Sequence, residues 1–395
     1  MKLNRGRMLT SMPGPSVIPE RVLSAMHTAM PNIYEGALID TSVSVFDELP
    51  AIAKTSGRAF MAISNGHGAW EMALTNTLCR GDHVLVLESG RFAIGWGNQA
   101  NVLGAEIEVL NAPARGAIDP QAVEERLRAD TDHKIKAVLA VQVDTASGVW
   151  NDIAEIGRVI RASGHPALFM VDCIASLGCV EYRMDDWSVD VTVGGSQKGL
   201  MVPPGLGIVW AGEKAMSAHK RADMRTPYWD WTARQSNDAH YLRYCGTAPI
   251  QHIYAMRTAL DMITEEGLEA VWARHAVFAD AVRAAVEAWS APGGLEFNII
   301  DPAHRSDSTT TVLTGSIDAE RLCRVCEDGA GLTLGIGLGD FAGRAFRIGH
   351  MGHLNPTMVL GTLATIEAAL GAMDAPVGSS GATAAARVVS DALKS

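Results

Sequence analysis

No run of apolar residues in this chain approaches the roughly 18 that a membrane-spanning helix needs. Positive charge is in short supply as well: 33 Lys and Arg stand against 44 Asp and Glu, a net charge of −11. That balance argues against nucleic acid or an anionic membrane as the main partner. The basic stretch MKLNRGRMLTSMPGPS at the N-terminus has no apolar segment of the kind a secretory signal carries. The six cysteines (Cys79, Cys173, Cys179, Cys245, Cys323 and Cys326) are scattered through apolar contexts, which fits reduced, buried thiols and a cytoplasmic protein rather than a disulfide framework. Cys323 and Cys326 make a lone C-x-x-C with no second pair, so they are read as one face of a helix and not as zinc ligands. The segment GHMGH at 349–353 lacks a carboxylate at helical spacing, and no metal is expected there.

What remains is an ordinary globular composition, 48% hydrophobic and 19% charged, in 395 residues. That length exceeds what one hydrophobic core usually serves, so two domains are expected. Between 58 and 212, seven short apolar runs alternate with helical patterns: 59–64, 83–89, 105–110, 136–143, 167–172, 189–194 and 206–212. Helix-like segments such as 119–130 and 151–164 lie between them. Continuous apolar strands separated by helices predict a mostly parallel seven-stranded sheet covered on both faces. From 253 to 290 the pattern is long-helical, then strand signals at 309–315 and 344–350 mix with helix signals at 318–328 and 356–373. The expected organisation is an N-terminal segment (1–20), a large α/β domain (21–255), a smaller α+β domain entered through a connecting helix (256–375), and a peripheral tail (376–395).

Ligands of an open parallel sheet bind beyond the carboxyl ends of its strands, so the residues after each run are the candidates. Asn65-Gly66-His67-Gly68 opens a helix, whose free amides suit an anion, although a plain strand–helix turn would look the same. Phe92 follows the second run and Trp96 lies one turn on. Asp144-Thr145-Ala146-Ser147-Gly148 follows the fourth. Asp172 ends the fifth, where it could also be a helix cap. Lys198 follows Gly194-Gly195-Ser196-Gln197, in a stretch otherwise almost free of charge. A lysine, a buried aspartate, an aromatic, a hydroxyl and a glycine-rich helix start on one edge match the needs of pyridoxal 5'-phosphate. Desolvation at a strand end would lower the lysine pKa and make it nucleophilic.

The segments PGPSVIPERV, NGHGAWEMALTNTL, VDCIASLG, GGSQKGLMVPPGLG and FRIGHMG, in this order and spacing, resemble the class V aminotransferases of fold type I. Within them they are most similar to the serine/alanine/aspartate–glyoxylate aminotransferases, over about 12–372. The resemblance implies a pyridoxal-phosphate enzyme that transfers an amino group from a small L-amino acid to glyoxylate. It makes Lys198 the Schiff-base lysine and proton shuttle, and Asp172 the partner of the pyridine nitrogen. It implies Phe92 stacked on the ring, Thr145 near the ring hydroxyl, and Asn65, Gly66, His67 and Gln197 around the phosphate. Arg347 becomes the fork for the substrate carboxylate, which a planar guanidinium can grip with two bonds. Tyr244 and Thr247 are placed at the phosphate of the other subunit, which implies a homodimer or a higher homo-oligomer with shared sites.

The family's donor-recognition loops vary most, and here 32–40 and 223–235 are expected at the entrance without pointing to a known donor. Fragments around EAVWARHA and RIGHMG also resemble pyridoxamine–pyruvate aminotransferase, the alternative reading. The cysteine desulfurase branch would need a reactive cysteine on a mobile loop, whereas Cys323 and Cys326 fall in a helix-like segment.

Overall fold

A computed structural model describes residues 3–235 and 238–394. The seven apolar runs become β1 (Arg58–Ser64), β2 (His83–Glu88), β3 (Glu106–Asn111), β4 (Ile135–Val141), β5 (Leu168–Asp172), β6 (Val191–Gly195) and β7 (Gly205–Ala211). They form one sheet in the order β3-β2-β4-β5-β6-β7-β1. Every neighbouring pair is parallel except those of β7, which runs antiparallel to β6 and β1. β5 and β6 are buried along their whole length, which is why they read as unbroken apolar runs rather than alternating ones. The fourth run ends earlier than expected, at Val141. Val143–Asp144 leaves the sheet and pairs with Val149–Trp150 in a small hairpin, so Thr145–Gly148 is a tight turn.

The helices start where local chemistry favours it. Asp119 accepts from the Gln121 amide ahead of Pro120, and Asp152 accepts from the Glu155 amide. Asn65 caps α1 (Gly66–Thr77) by accepting from the His67 and Gly68 amides. α2 (Arg91–Leu103) follows β2. The long helical stretch is two helices, α3 (Ile250–Glu266) and α4 (Leu268–Trp289). They break at Gly267, whose φ of 88° lies in the region that favours glycine.

A second, five-stranded sheet has the order Leu9–Ser11, Leu332–Ile336, Ala345–Gly349, Thr309–Leu313, Glu296–Phe297. Its first strand belongs to the N-terminal segment and runs parallel to Leu332–Leu334. Each face of the large sheet has its own apolar cluster, and a third, containing Trp289, Phe346 and Leu363, fills the small sheet's core. The tail, expected as a peripheral appendage, is instead part of that third core. Residues Gly381–Ala392 form α5, Ser380 caps it, and Ala385 and Val389 are buried against α4. Among the described residues no helix is long and apolar enough to cross a membrane.

Candidate active site

The ends of β1, β2, β4, β5 and β6 open on one edge of the sheet, around a cavity of about 260 Å³. Asn65, Gly66, His67, Phe92, Thr145, Asp172, Gln197 and Lys198 all line it, with Trp70, Val141, Val143, Ile174 and Ala175. Residues from five separate elements, up to 133 positions apart (198 − 65), therefore meet in one place.

Asp172 is buried at the last position of β5. Its Oδ1 accepts from the Ile174 amide at 2.7 Å and its Oδ2 from Trp70 Nε1 at 2.7 Å. Burial pushes its carboxyl up to about 7; those two hydrogen bonds pull the other way. Lys198 sits in the turn after β6. Burial, reinforced by the Arg347 guanidinium, pushes its amine down to about 8, while Asp172 and the Cys179 thiol oppose the shift. One cavity thus holds a carboxyl that ionises late and an amine that loses its proton early, both within reach of neutral pH.

Arg347 lies on the small sheet and reaches across to the turn that follows β4. Its Nε donates to the Ile336 carbonyl at 2.7 Å and its Nη1 to the Thr145 carbonyl at 2.8 Å. Burial pushes the guanidinium down to about 10, and Asp144 opposes this. Asp144 is itself fully enclosed. Its Oδ2 accepts from the Phe92 amide at 2.7 Å, and its Oδ1 from the Ala146 and Ser147 amides at 2.8 and 3.1 Å. It therefore ties the start of α2, which carries Phe92, to the turn that carries Thr145. Phe92 meets Trp70 edge-on at 6.4 Å between ring centres, and Trp70 stacks on the buried Trp96 at 6.1 Å.

Arg347 does not line this cavity but stands close enough for its charge to act on Lys198. Tyr244 and Thr247, expected at the other subunit's phosphate, do not line it either. Tyr244 is buried inside its own chain, 1% exposed, and its hydroxyl shares a 2.5 Å hydrogen bond with Ser42. Thr247 is exposed three residues on. Neither of the loops 32–40 and 223–235 lines the cavity. Trp229 of the second loop packs against α1, its Nε1 donating to Glu71 at 3.0 Å. Cys323 and Cys326 are buried in the small-sheet core, where burial pushes their thiols up to about 11 and about 12.

The family model for class-V aminotransferases matches residues 57–338. The chain belongs to this family. It is a transaminase with the fold type I architecture. It is 38% identical over 373 residues to a serine–glyoxylate aminotransferase of Methylorubrum extorquens, covering 92% of this chain and 91% of that protein. It is 36% identical over 386 residues to an L-aspartate–glyoxylate aminotransferase of Paracoccus denitrificans, covering 95% and 94%. The crystal structure of pyridoxamine-pyruvate aminotransferase from Mesorhizobium loti superposes with a TM-score of 0.88 at 27% identity, covering 99% of each chain.

The sequence reading gave no role to Trp70, which it did not single out, or to Asp144, which it placed among the residues after the fourth run. Trp70 stands four residues after Gly66 at the helix start, so helical spacing was a signal that it faces the same edge. Asp144 was visible in the turn after β4, but nothing local distinguishes a turn aspartate from one that clamps two elements together.

The residues of this transaminase fit a pyridoxal group. An ionised carboxylate has about four acceptor positions. Asp172 uses two on protein donors, which leaves capacity for a cationic ring N–H from the cavity. Gln197 Oε1 is buried with no partner among the described residues, a deficit that a polar ligand in the cavity would relieve.

Proposed function

We propose that this transaminase moves the amino group of a small L-amino acid, serine, alanine or aspartate, to glyoxylate, giving glycine, with pyridoxal 5'-phosphate as cofactor. The observation that carries the reading is the pairing of Lys198 and Asp172 on one cavity, with pKa values displaced towards neutrality from opposite sides. When bound, the pyridoxal group supplies an electron sink for the substrate's α-carbon. Lys198 Nζ holds the cofactor at rest and carries the proton to and from that carbon. Asp172 keeps a charge-assisted hydrogen bond on the ring nitrogen. Phe92 offers a flat face, and Thr145 a hydroxyl near the ring oxygen. Asn65, Gly66, His67 and Gln197 take the phosphate at the start of α1. Arg347 spends two donors on backbone carbonyls, which orients its remaining N–H groups to grip a substrate carboxylate.

The glyoxylate assignment rests on the relatives' activities. We further propose a large domain at 21–255 and a small one that begins at 256 and takes in the docked tail helix α5 as well as 256–375, a cytoplasmic location, and a homodimer in which Thr247 and Tyr244 approach the neighbour's phosphate. For Tyr244 this requires its hydroxyl to leave Ser42.

A panel of serine, alanine and aspartate as donors, with glyoxylate, oxaloacetate and pyruvate as acceptors, tests the reading. Glyoxylate should give the highest kcat/KM, and preference for another acceptor rejects it. Lys198→Ala should lose turnover with its fold intact; near-native turnover in that variant removes Lys198 from the chemistry. The second reading, pyridoxamine–pyruvate transamination, is raised by the likeness to that crystal structure and is the weaker one, because the relatives at 36–38% identity are glyoxylate aminotransferases. It predicts protein purified without bound phosphate and active on the free vitamer.

A further inference from the structure

The motif Pro13-Gly14-Pro15-Ser16 was singled out in the sequence, yet none of the roles above uses it. In the structure it lies against the lysine. Lys198 Nζ donates to the Pro13 carbonyl. A Cβ built on Gly14 would stand 2.5 Å from Cδ, Cε and Nζ of Lys198, and Gly14 has a φ of 93°. The next residues hold the backbone of the same turn: the Ser16 amide donates to the Gln197 carbonyl at 2.9 Å, and Ser16 Oγ to the Lys198 carbonyl at 2.7 Å. On the other side Ser11 Oγ donates to the Gly349 carbonyl at 2.8 Å, two residues beyond Arg347. Leu9–Ser11 is hydrogen-bonded into the small sheet. Six residues, 11–16, therefore run from the strand of Arg347 to the turn of Lys198 and are anchored at both ends.

We propose that residues 13–16 form a positioning strap for Lys198: the Pro13 carbonyl is the acceptor for its free amine, and residue 14 is glycine so that the strap can pass against the lysine's methylenes. Resting on Lys198 being the reactive amine, this adds the element that decides where the amine stands whenever it is not bonded to the cofactor. The need is specific to that state. A lysine has four rotatable side-chain bonds, and a proton carrier must hold its nitrogen within hydrogen-bond reach of the atom it serves. Apart from the strap, Lys198 is faced by three titratable or charged groups: Asp172 at the end of β5, Cys179 in the turn after it, and Arg347 from the small sheet. Arg347 repels the ammonium form, Asp172 and any thiolate favour it, and the Pro13 carbonyl adds a neutral acceptor that also favours it.

The test uses cofactor-free protein, so its readout does not depend on the donor, the acceptor or turnover. Lys198 is labelled competitively with acetic anhydride across pH 6 to 10 and quantified by peptide mass spectrometry, in wild type and in Gly14→Ala, Ser16→Ala and Pro13→Ala. Gly14→Ala should move the labelling profile to lower pH and raise the rate at pH 7 roughly three- to tenfold, the size expected for the loss of one ordinary hydrogen bond. Ser16→Ala should move it in the same direction by less. Pro13→Ala, which keeps the carbonyl and the glycine, should leave it within about twofold of wild type. In the reconstituted enzyme Gly14→Ala should lower kcat with KM for the amino acid little changed, because the strap bonds to the lysine and its turn, whereas the Arg347 guanidinium bonds to the Ile336 and Thr145 carbonyls. A folded Gly14→Ala with the wild-type labelling profile overturns the proposal. If Gly14→Ala does not fold, Ser16→Ala decides: a shifted profile supports the strap and an unshifted one overturns it. Loss of the Lys198 assignment would show separately, as turnover surviving in Lys198→Ala.

Discussion

Arg347 spends its Nε and one Nη1 donor on the carbonyls of Ile336 and Thr145. Lysine at that position keeps a charge but cannot serve two carbonyls and a carboxylate together. Arg347→Lys should therefore raise KM for the amino acid and cut kcat/KM by roughly 10²-fold, the loss expected for one bidentate charged contact. Steady-state kinetics and cofactor content check this; unchanged KM with lost cofactor would give Arg347 a different task. Asp172→Asn removes the charge that a ring N–H needs while preserving shape. It should lower kcat by orders of magnitude and weaken cofactor retention on dialysis, whereas unchanged kinetics would mean that the ring nitrogen has another partner. Lys198 and Asp172 were legible in the sequence because an ionisable residue at the end of a buried apolar run is rare and conspicuous. Asp144 was not, because its importance lies in accepting from the amide of Phe92, 52 residues away, and that pairing exists only once β2 and β4 lie side by side.

The element that differs most from the sequence reading is the tail. α5 looked weakly amphipathic and followed a Gly/Ser linker, yet it packs along α4, with Val389 5% exposed. Trp289 Nε1 of α4 donates to Glu367 at 2.9 Å, and Ser380 and the Ala382 amide donate to the same carboxylate. That shared acceptor knots α4, the helix Pro356–Ala372 and α5 together. Val389→Asp should destabilise the protein by about 2–4 kcal/mol, from lost apolar burial and an unpaired buried charge. Chemical denaturation checks this, and a change under 0.5 kcal/mol would mean that the helix is not docked in solution. A second consequence concerns His275 on α4, whose Nδ1 donates to the Val271 carbonyl and whose Nε2 accepts from the Gly352 amide at 3.0 Å. Protonation would destroy that acceptor, and burial pushes the imidazole down to about 4. A histidine held below its unfolded value contributes stability that is present above about pH 6.5 and lost as pH falls towards 4. Unfolding free energies of wild type and His275→Gln should therefore converge on acidification, by at most about 1.4 kcal/mol per pH unit. Parallel curves would show that His275 does not titrate in this way.

For the whole molecule, the prediction with the largest consequence is that a second copy completes the site. Thr247 is exposed and does not line the cavity of its own chain, while Tyr244→Ala would leave a hole in the core and so confuse the test. Co-expression of Lys198→Ala with Thr247→Ala plus Tyr244→Phe, followed by isolation of mixed dimers, avoids that problem. Across a two-fold interface one site collects both defects and the other none, so activity should return to up to roughly half the native level per mixed dimer. Mixed dimers no more active than the two parents would assign Thr247 and Tyr244 to their own chain.

The order of strands and helices, the edge on which the cavity opens, and the lysine and aspartate that line it were determined by the sequence alone. Each rests on local properties: apolar periodicity, caps, glycines, and a charge where a buried run ends. Tertiary structure alone decided the rest. It closed the second sheet with a strand from the N-terminus, docked the tail on α4, turned Tyr244 inward to Ser42, and laid Pro13 and Gly14 against Lys198. Those pairings join residues up to 323 positions apart (332 − 9), with no periodicity linking the two ends, so no local pattern can encode them. They are set by which surfaces remain uncovered once the large sheet has formed, and that is a property of the folded chain.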